Sequence, residues 1–330
     1  MQRVHFYEEL PQQRVRCGIC PHRCQIAVGE YGICRVRKNS GGLLLATNYA
    51  RCVASGLDPI EKKPLYHFYP GSTILSFGAL GCNLSCDFCQ NWQIAQAQAP
   101  THELKPERAV QLALGAGKDC IGIAYTYSEP LMWYEYIRDT APLAREKGLK
   151  NVVVSNGYIN PQPLAALLPF IDAFNIDIKA FRPEYYRRLC GAKIEPVLAT
   201  VRACVEAGCH VEVTTLLVTG LNDSEGEIRE LVDWIYSLDP LLPLHFSRYF
   251  PSYKLDLPPT PLKTLERAYE IAREKLSHVY LGNIGDSVGS TSYCPRCGNT
   301  VVVRDGYEIE IKGLVGGKCR KCGEQVMKHA

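Results

Sequence analysis

The sequence predicts an α/β fold: a partial (β/α)6 barrel of the TIM type with a small cysteine-rich metal module at each end. Three observations predict it. Short apolar, β-branched runs alternate with helical patterns through the middle of the chain. The sixteen cysteines include three clusters, one in the middle and one near each end. The length of 330 residues suits one barrel-sized domain with small additions.

The strand-like runs are 72–77, 121–125, 151–155, 173–178, 211–218, 243–249 and 279–281. They lack strict polar alternation, as strands buried on both faces should. Helical patterns lie between them. The first, 106–115, has Pro106 in its first turn and closes on Gly115. The second, 130–147, ends before Gly148, and the third, 195–207, before Gly208. The fourth, 224–237, opens with Ser224 and places Glu227 at capping-box spacing. A fifth covers 261–276. Alternation of this kind implies a parallel sheet, with the chemistry at the carboxyl ends of its strands. Three parts follow: an irregular module at 1–68 before Tyr69-Pro70-Gly71, a core at 69–288, and a tail at 289–330.

A disulfide-rich secreted chain is one reading of so many cysteines. Against it, residues 1–16 are polar and carry no apolar signal core. No apolar run approaches the roughly 18 residues a membrane span needs. The expectation is a cytoplasmic chain, where thiols stay reduced and clustered cysteines bind metal. Apolar residues make up 46%, enough for a sizeable core, and a net charge of +3 gives no sign of nucleic-acid binding.

Cys82, Cys86 and Cys89 form C-x3-C-x2-C just after the first core strand. Thiolates are the usual ligands of iron–sulfur clusters, and three of them leave one iron of a 4Fe–4S cluster open. An open metal position is where a metal centre does chemistry. The alternative is a zinc site that borrows a fourth ligand. Cys294, Cys297, Cys319 and Cys322 form two C-x2-C pairs, each followed by glycine, around a β-rich stretch. That pattern reads as a structural zinc ribbon, with a rubredoxin-like iron site as the alternative. Lys312, Lys318, Arg320, Lys321 and Lys328 make it basic. Cys17, Cys20, Cys24 and Cys34 are spaced irregularly. They suit zinc or a second iron–sulfur cluster, with His22 as a substitute ligand, and the compact, separate arrangement favours zinc. Cys52, Cys120, Cys190, Cys204 and Cys209 read as packing residues.

The C-x3-C-x2-C motif, with Phe88 before its last cysteine, resembles the signature of the radical S-adenosyl-L-methionine (SAM) superfamily. The resemblance implies that the open iron binds the amino and carboxylate groups of SAM. It implies reductive cleavage of SAM to a 5′-deoxyadenosyl radical that abstracts hydrogen from a substrate. Thr126-Tyr127-Ser128-Glu129-Pro130 is similar to that family's Gly-Gly-Glu segment, which grips the SAM amino group, with Tyr127 and Ser128 in place of the glycines. The same residues also read as a helix start with Ser128 as cap. Ser155-Asn156-Gly157 resembles a Thr-Asn-Gly of glycyl-radical activating enzymes. Asp177-Ile178-Lys179 resembles their Asp-x-Lys beside SAM, and also fits a structural ion pair. Thr214 falls where they place a polar contact to SAM. Pro243-Leu244-His245-Phe246 resembles their Pro-Tyr-His-Glu, and His245 also suits a core position. The resemblance thus implies SAM contacts from Tyr127, Ser128, Glu129, Asn156, Asp177, Lys179, Thr214 and His245.

Over 70–282 the chain resembles pyruvate formate-lyase activating enzymes. Its whole layout resembles the radical SAM member of the AmmeMemoRadiSam group. The shared features are the Cys17-Gly-Ile-Cys-Pro-His-Arg-Cys24 opening, Thr-Tyr-Ser-Glu-Pro, Tyr280-Leu281-Gly282-Asn283 and the four-cysteine tail. That layout implies Memo-type and AMMECR-type partners, and an electron donor such as flavodoxin or ferredoxin. The hydrogen donor is either a backbone glycine of a partner enzyme or a small molecule. The added modules favour the small molecule. A reading of another class is a zinc-ribbon protein that binds nucleic acid and cleaves no SAM.

Overall fold

A computed structural model describes residues 1–285 and 289–330. The main sheet begins with β1 (Arg51–Pro59). It continues through β2 (Thr73–Ala79), β3 (Cys120–Tyr125), β4 (Lys150–Ser155), β5 (Ala173–Asp177), β6 (His210–Leu217), β7 (Leu244–Arg248) and β8 (Val279–Gly282). Neighbours in sequence are neighbours in the sheet. Strands β2 to β8 are all parallel. Strand β1 runs antiparallel against β2, and the short strand His102–Glu103 lies on its outer edge. The sheet does not close: β8 lies at one end of the strand order and His102–Glu103 at the other.

Six helices follow the parallel strands: α1 (Pro106–Leu114), α2 (Tyr134–Glu146), α3 (Pro161–Leu167), α4 (Glu195–Glu206), α5 (Glu225–Leu238) and α6 (Leu262–Arg273). All seven expected strands form, and each expected helical pattern is helical. Helix α3 carries prolines at its first and third positions and escaped the periodicity reading. Ser224 caps α5 by accepting from the Glu227 N–H. The Glu227 carboxylate does not reach back to complete the box. It accepts the Phe181 N–H at 2.7 Å instead.

The sheet's two faces bury different things. Val153, Phe174, Val211 and Val213 join Ile137, Leu164, Val201 and Ile228 of the helices in one large core. On the other face, Ile74, Ala124, Val152 and Ala173 meet Ile60, Leu65 and Phe68. The segment after β1 therefore plugs the concave side of the barrel. Burial on both faces is why the strands read as apolar runs rather than alternating ones.

Arg51–Pro59, within the stretch read as the N-terminal module, is a strand of the main sheet. Ahead of it, two small three-stranded sheets carry the first cysteine group. In the C-terminal part, Thr300–Asp305 pairs antiparallel with Glu308–Ile311. Arg304 fastens this part to the plug. Its fully buried guanidinium donates to the Tyr66 carbonyl at 2.6 Å, lies over the Tyr66 ring and sits 3.8 Å from Glu61. The boundary expected at 288 lies outside the described residues. Among the described residues, no helix is long and apolar enough to cross a membrane.

Candidate functional site

Cys82, Cys86 and Cys89 occupy the loop at the carboxyl end of β2. Its shape is fixed by neighbours on all sides. Gly81 has φ +96° and carries no side chain where a Cβ would meet the Cys34 carbonyl at 2.7 Å. Asn83 donates to the Tyr158 carbonyl at 2.6 Å, and its own carbonyl meets His22 Nε2 at 2.7 Å. The Ser85 and Asp87 N–H groups donate to the carbonyls of Cys190 and Leu189, and Ser252 Oγ donates to the Cys89 carbonyl. Two donors face the Cys82 sulfur: the Leu84 N–H at 3.4 Å and Asn156 Nδ2 at 3.6 Å. Burial and Glu129 push the Cys82 thiol well above its ordinary range, and the Leu84 donor pulls toward the thiolate, the form that ligates metal.

Beside this loop β3 ends in Thr126-Tyr127-Ser128-Glu129. Glu129 is buried, and its carboxylate is held by protein donors. Its Oε1 accepts from Ser155 Oγ at 2.7 Å and the Leu131 N–H at 2.9 Å, and its Oε2 from the Asn156 N–H at 2.8 Å. Burial raises its carboxyl to about 7, against the pull of those donors. The helix start is therefore capped by Glu129 rather than Ser128, whose hydroxyl donates to the Ala79 carbonyl. Tyr127 holds φ +71°, a left-handed conformation that suits glycine. Its hydroxyl donates to Asp58 Oδ2 at 2.7 Å, and its ring lies against the bare backbone of Gly78. Its carbonyl accepts from Asn91 Nδ2 at 2.7 Å, which ties the strand end to the cysteine loop.

Asp177 ends β5 and accepts from Lys179 Nζ at 2.6 Å. Burial lowers the Lys179 ammonium, but Asp177 and the Cys86 thiol outweigh it and hold the group above the ordinary lysine range. Cys190 is fully buried, as packing requires, and its thiol, together with burial, pushes the Cys86 thiol well above its ordinary range.

Thr214 and His245 belong to a different network. Thr214 Oγ1 donates to Asn175 Oδ1, and Asn175 donates to the Pro64 carbonyl. His245 meets Glu212 Oε2 at 2.6 Å. Glu212 also accepts the N–H groups of Tyr66 and His67 and meets His210. Both residues thus fasten the plug segment. The loop cysteines, Glu129, Asn156, Asp177 and Lys179 gather at the mouth. Asn83, Asn91 and Cys190 complete that mouth, and no local spacing marked them.

A family model described as the radical SAM superfamily matches residues 78–235, which span the loop, Glu129, Asn156 and the Asp177–Lys179 pair. Residues 78–235 form a radical SAM superfamily domain. A Methanocaldococcus jannaschii protein recorded as uncharacterized is 42% identical over 334 residues, covering 99% of each chain. The pyruvate formate-lyase-activating enzyme of Clostridium pasteurianum is 24% identical over 173 residues, covering 50% of this chain and 72% of its own. A radical SAM methyltransferase of Sphaerobacter thermophilus shares the fold at a TM-score of 0.53 and 20% identity, covering 65% of this chain and 67% of its own.

A radical SAM superfamily domain implies a 4Fe–4S cluster and SAM. The residues fit the cluster: three thiols share one loop, with two N–H donors on the first sulfur. The C-terminal cysteines are arranged differently. The sulfurs of Cys294, Cys297, Cys319 and Cys322 lie within 4.8 Å of one another, with the Cys294–Cys322 pair at 3.5 Å and Cys297–Cys319 at 3.7 Å. Cys17, Cys20, Cys24 and Cys34 line one small cavity together with His22 and Arg37.

Proposed function

We propose that this protein binds a 4Fe–4S cluster through Cys82, Cys86 and Cys89, cleaves SAM reductively and directs the radical at a substrate hydrogen. The observation that carries this is the convergence at the barrel mouth. The three-thiol loop sits against the Glu129–Ser155–Asn156 group and the Asp177–Lys179 pair. When bound, the cluster and SAM supply the electron and the 5′-deoxyadenosyl radical.

This chain's residues position them. Glu129 holds Ser155 and the Asn156 backbone in register, so that Asn156 steadies Cys82 and faces the SAM side of the loop. Tyr127 and Ser128 offer backbone groups to the SAM amino group, because both side chains are turned to other partners. Asp177 and Lys179 offer a charge pair to the polar end of SAM. Thr214 and His245 set the floor of the mouth through Asn175 and Glu212. The C-terminal thiols hold zinc in a closed, structural site.

The substrate is a small molecule, handled with Memo-type and AMMECR-type partners, and the electron comes from a flavodoxin- or ferredoxin-type donor. The modules around the barrel support that choice. The activating enzymes among the relatives favour a second reading, hydrogen abstraction from a glycine of a partner enzyme. Anaerobic reconstitution with iron, sulfide, SAM and dithionite tests the reaction. Release of 5′-deoxyadenosine is expected, with loss in Cys86→Ala. Absence of that product from protein with an intact cluster would refute the reading. A glycyl radical detected by electron paramagnetic resonance on a co-expressed partner would move the substrate to protein.

A further inference from the structure

Two observations single out the N-terminal cysteines. The first is spacing. One zinc ion with Zn–S bonds of about 2.3 Å holds its four sulfurs about 3.8 Å apart. The C-terminal cysteines match that, with sulfur contacts of 3.5 and 3.7 Å. Among the described residues, no other set of thiols, imidazoles or carboxylates converges to that degree. Cys17, Cys20, Cys24 and Cys34 surround one cavity with a more open spacing. The loop of Cys82, Cys86 and Cys89 shares that openness, and there the superfamily places an iron–sulfur cluster. A cubane bears each thiolate on a different iron, so its thiolates stand wider apart than those on one ion.

The second observation is Arg37. It is 1% exposed and lines the same cavity. One guanidinium nitrogen pairs with Glu135, but Nε and the other terminal nitrogen have no partner. Its charge acts on both Cys17 and Cys34. Two unmatched buried N–H donors beside four thiols call for an acceptor group in the cavity. A metal–thiolate cluster is such a group.

We propose that Cys17, Cys20, Cys24 and Cys34 ligate a second 4Fe–4S cluster, seated against the Cys82 loop so that it relays single electrons to the first. The contact between the two sites is direct. The Cys34 carbonyl packs on Gly81, and His22, two residues after Cys20, meets the Asn83 carbonyl. Gly81 and Asn83 flank Cys82. One electron enters from a reduced one-electron donor of flavodoxin or ferredoxin type, and the same electron leaves toward Cys82. No bond changes at the relay. Ligation stands independently of the proposed SAM chemistry, and the relay rests on it.

The decisive protein is the full chain carrying Cys82→Ala, Cys86→Ala and Cys89→Ala, reconstituted anaerobically with iron and sulfide. It should retain about four irons and four sulfides per chain and give a cluster signal by electron paramagnetic resonance after dithionite. Iron-free protein, whether it carries one zinc or two, would overturn the proposal. In the complementary variant, Cys20→Ser with Cys24→Ser, iron should fall by half. Reduction of the remaining cluster by a protein donor should slow several-fold, while reduction by dithionite persists. An unchanged rate with the protein donor would overturn the relay. If that variant does not fold, the triple variant still decides the ligation.

Discussion

Replacing Glu212 with glutamine tests the network that holds the plug in the barrel. The native carboxylate is fully buried and takes four partners. Oε1 accepts from the His67 N–H and meets His210, and Oε2 accepts from the Tyr66 N–H and meets His245. Burial alone would raise its pKa, but His210 and His245 hold it well below the ordinary glutamate range. Glutamine keeps one oxygen and turns an NH2 toward the other pair of donors. The imidazole there can reverse its tautomer and accept. The backbone N–H cannot, and an unmatched buried N–H costs about 1–3 kcal/mol. The two surviving bonds drop from charge-assisted to neutral strength, which adds about 1 kcal/mol each. The expected loss is about 3–5 kcal/mol, the range seen when one partner leaves a buried charged network. Urea unfolding of wild-type and Glu212→Gln proteins, followed by fluorescence, measures it. A loss under about 1 kcal/mol at neutral pH would refute the reasoning. The pH dependence gives a second check. The folded carboxyl titrates below the unfolded value of 4.5, so the unfolded state binds more protons in that window. The stabilisation is therefore full above that value and fades as pH falls through the folded pKa. The gap between wild type and variant should narrow under acid, and a gap that widened there would also refute the reasoning.

Other perturbations follow from the same contacts. Arg304→Leu leaves Glu61 buried without its cation and should destabilise the protein by about 3–5 kcal/mol in urea unfolding. Adding Glu61→Gln should recover part of that loss, and strict additivity would show that the two do not interact. Gly81→Ala places a Cβ 2.7 Å from the Cys34 carbonyl at φ +96°. It should cost about 1–3 kcal/mol and lower the iron content after reconstitution, with wild-type iron content as the contrary outcome. Cys294→Ser should remove about one zinc per chain by metal analysis while iron stays unchanged. Loss of iron instead would assign that site to iron.

The elements legible in the sequence are those whose cause is local. Strands buried on both faces announce themselves as β-branched runs, and helices by period and by glycine stops. The cysteine loop was legible because its three thiols lie within eight residues. Its neighbours at the mouth were legible for a related reason, since each follows a strand in a barrel that collects strand ends on one side. Ser128 was misread as the cap because sequence shows which residues can cap, while the Ala79 carbonyl that claims its hydroxyl comes from another strand.

Only the tertiary structure decided the rest. Strand β1 contains Gly56 and Pro59 and has no strand signature of its own. It forms because β2 offers it an edge. Cys190 reads as one more buried thiol until the chain brings it to Cys86 across about a hundred residues. Glu212 and Arg304 read as charges that ought to face water. Each is buried because the plug segment, far away in sequence, supplies its partners. Sequence by itself determined the barrel, the three-thiol loop and the resemblance to the superfamily, since these rest on burial pattern and short-range cysteine spacing. Which charges the interior tolerates, and which thiols share a cavity with the buried Arg37, depends on groups that meet only once the chain has folded.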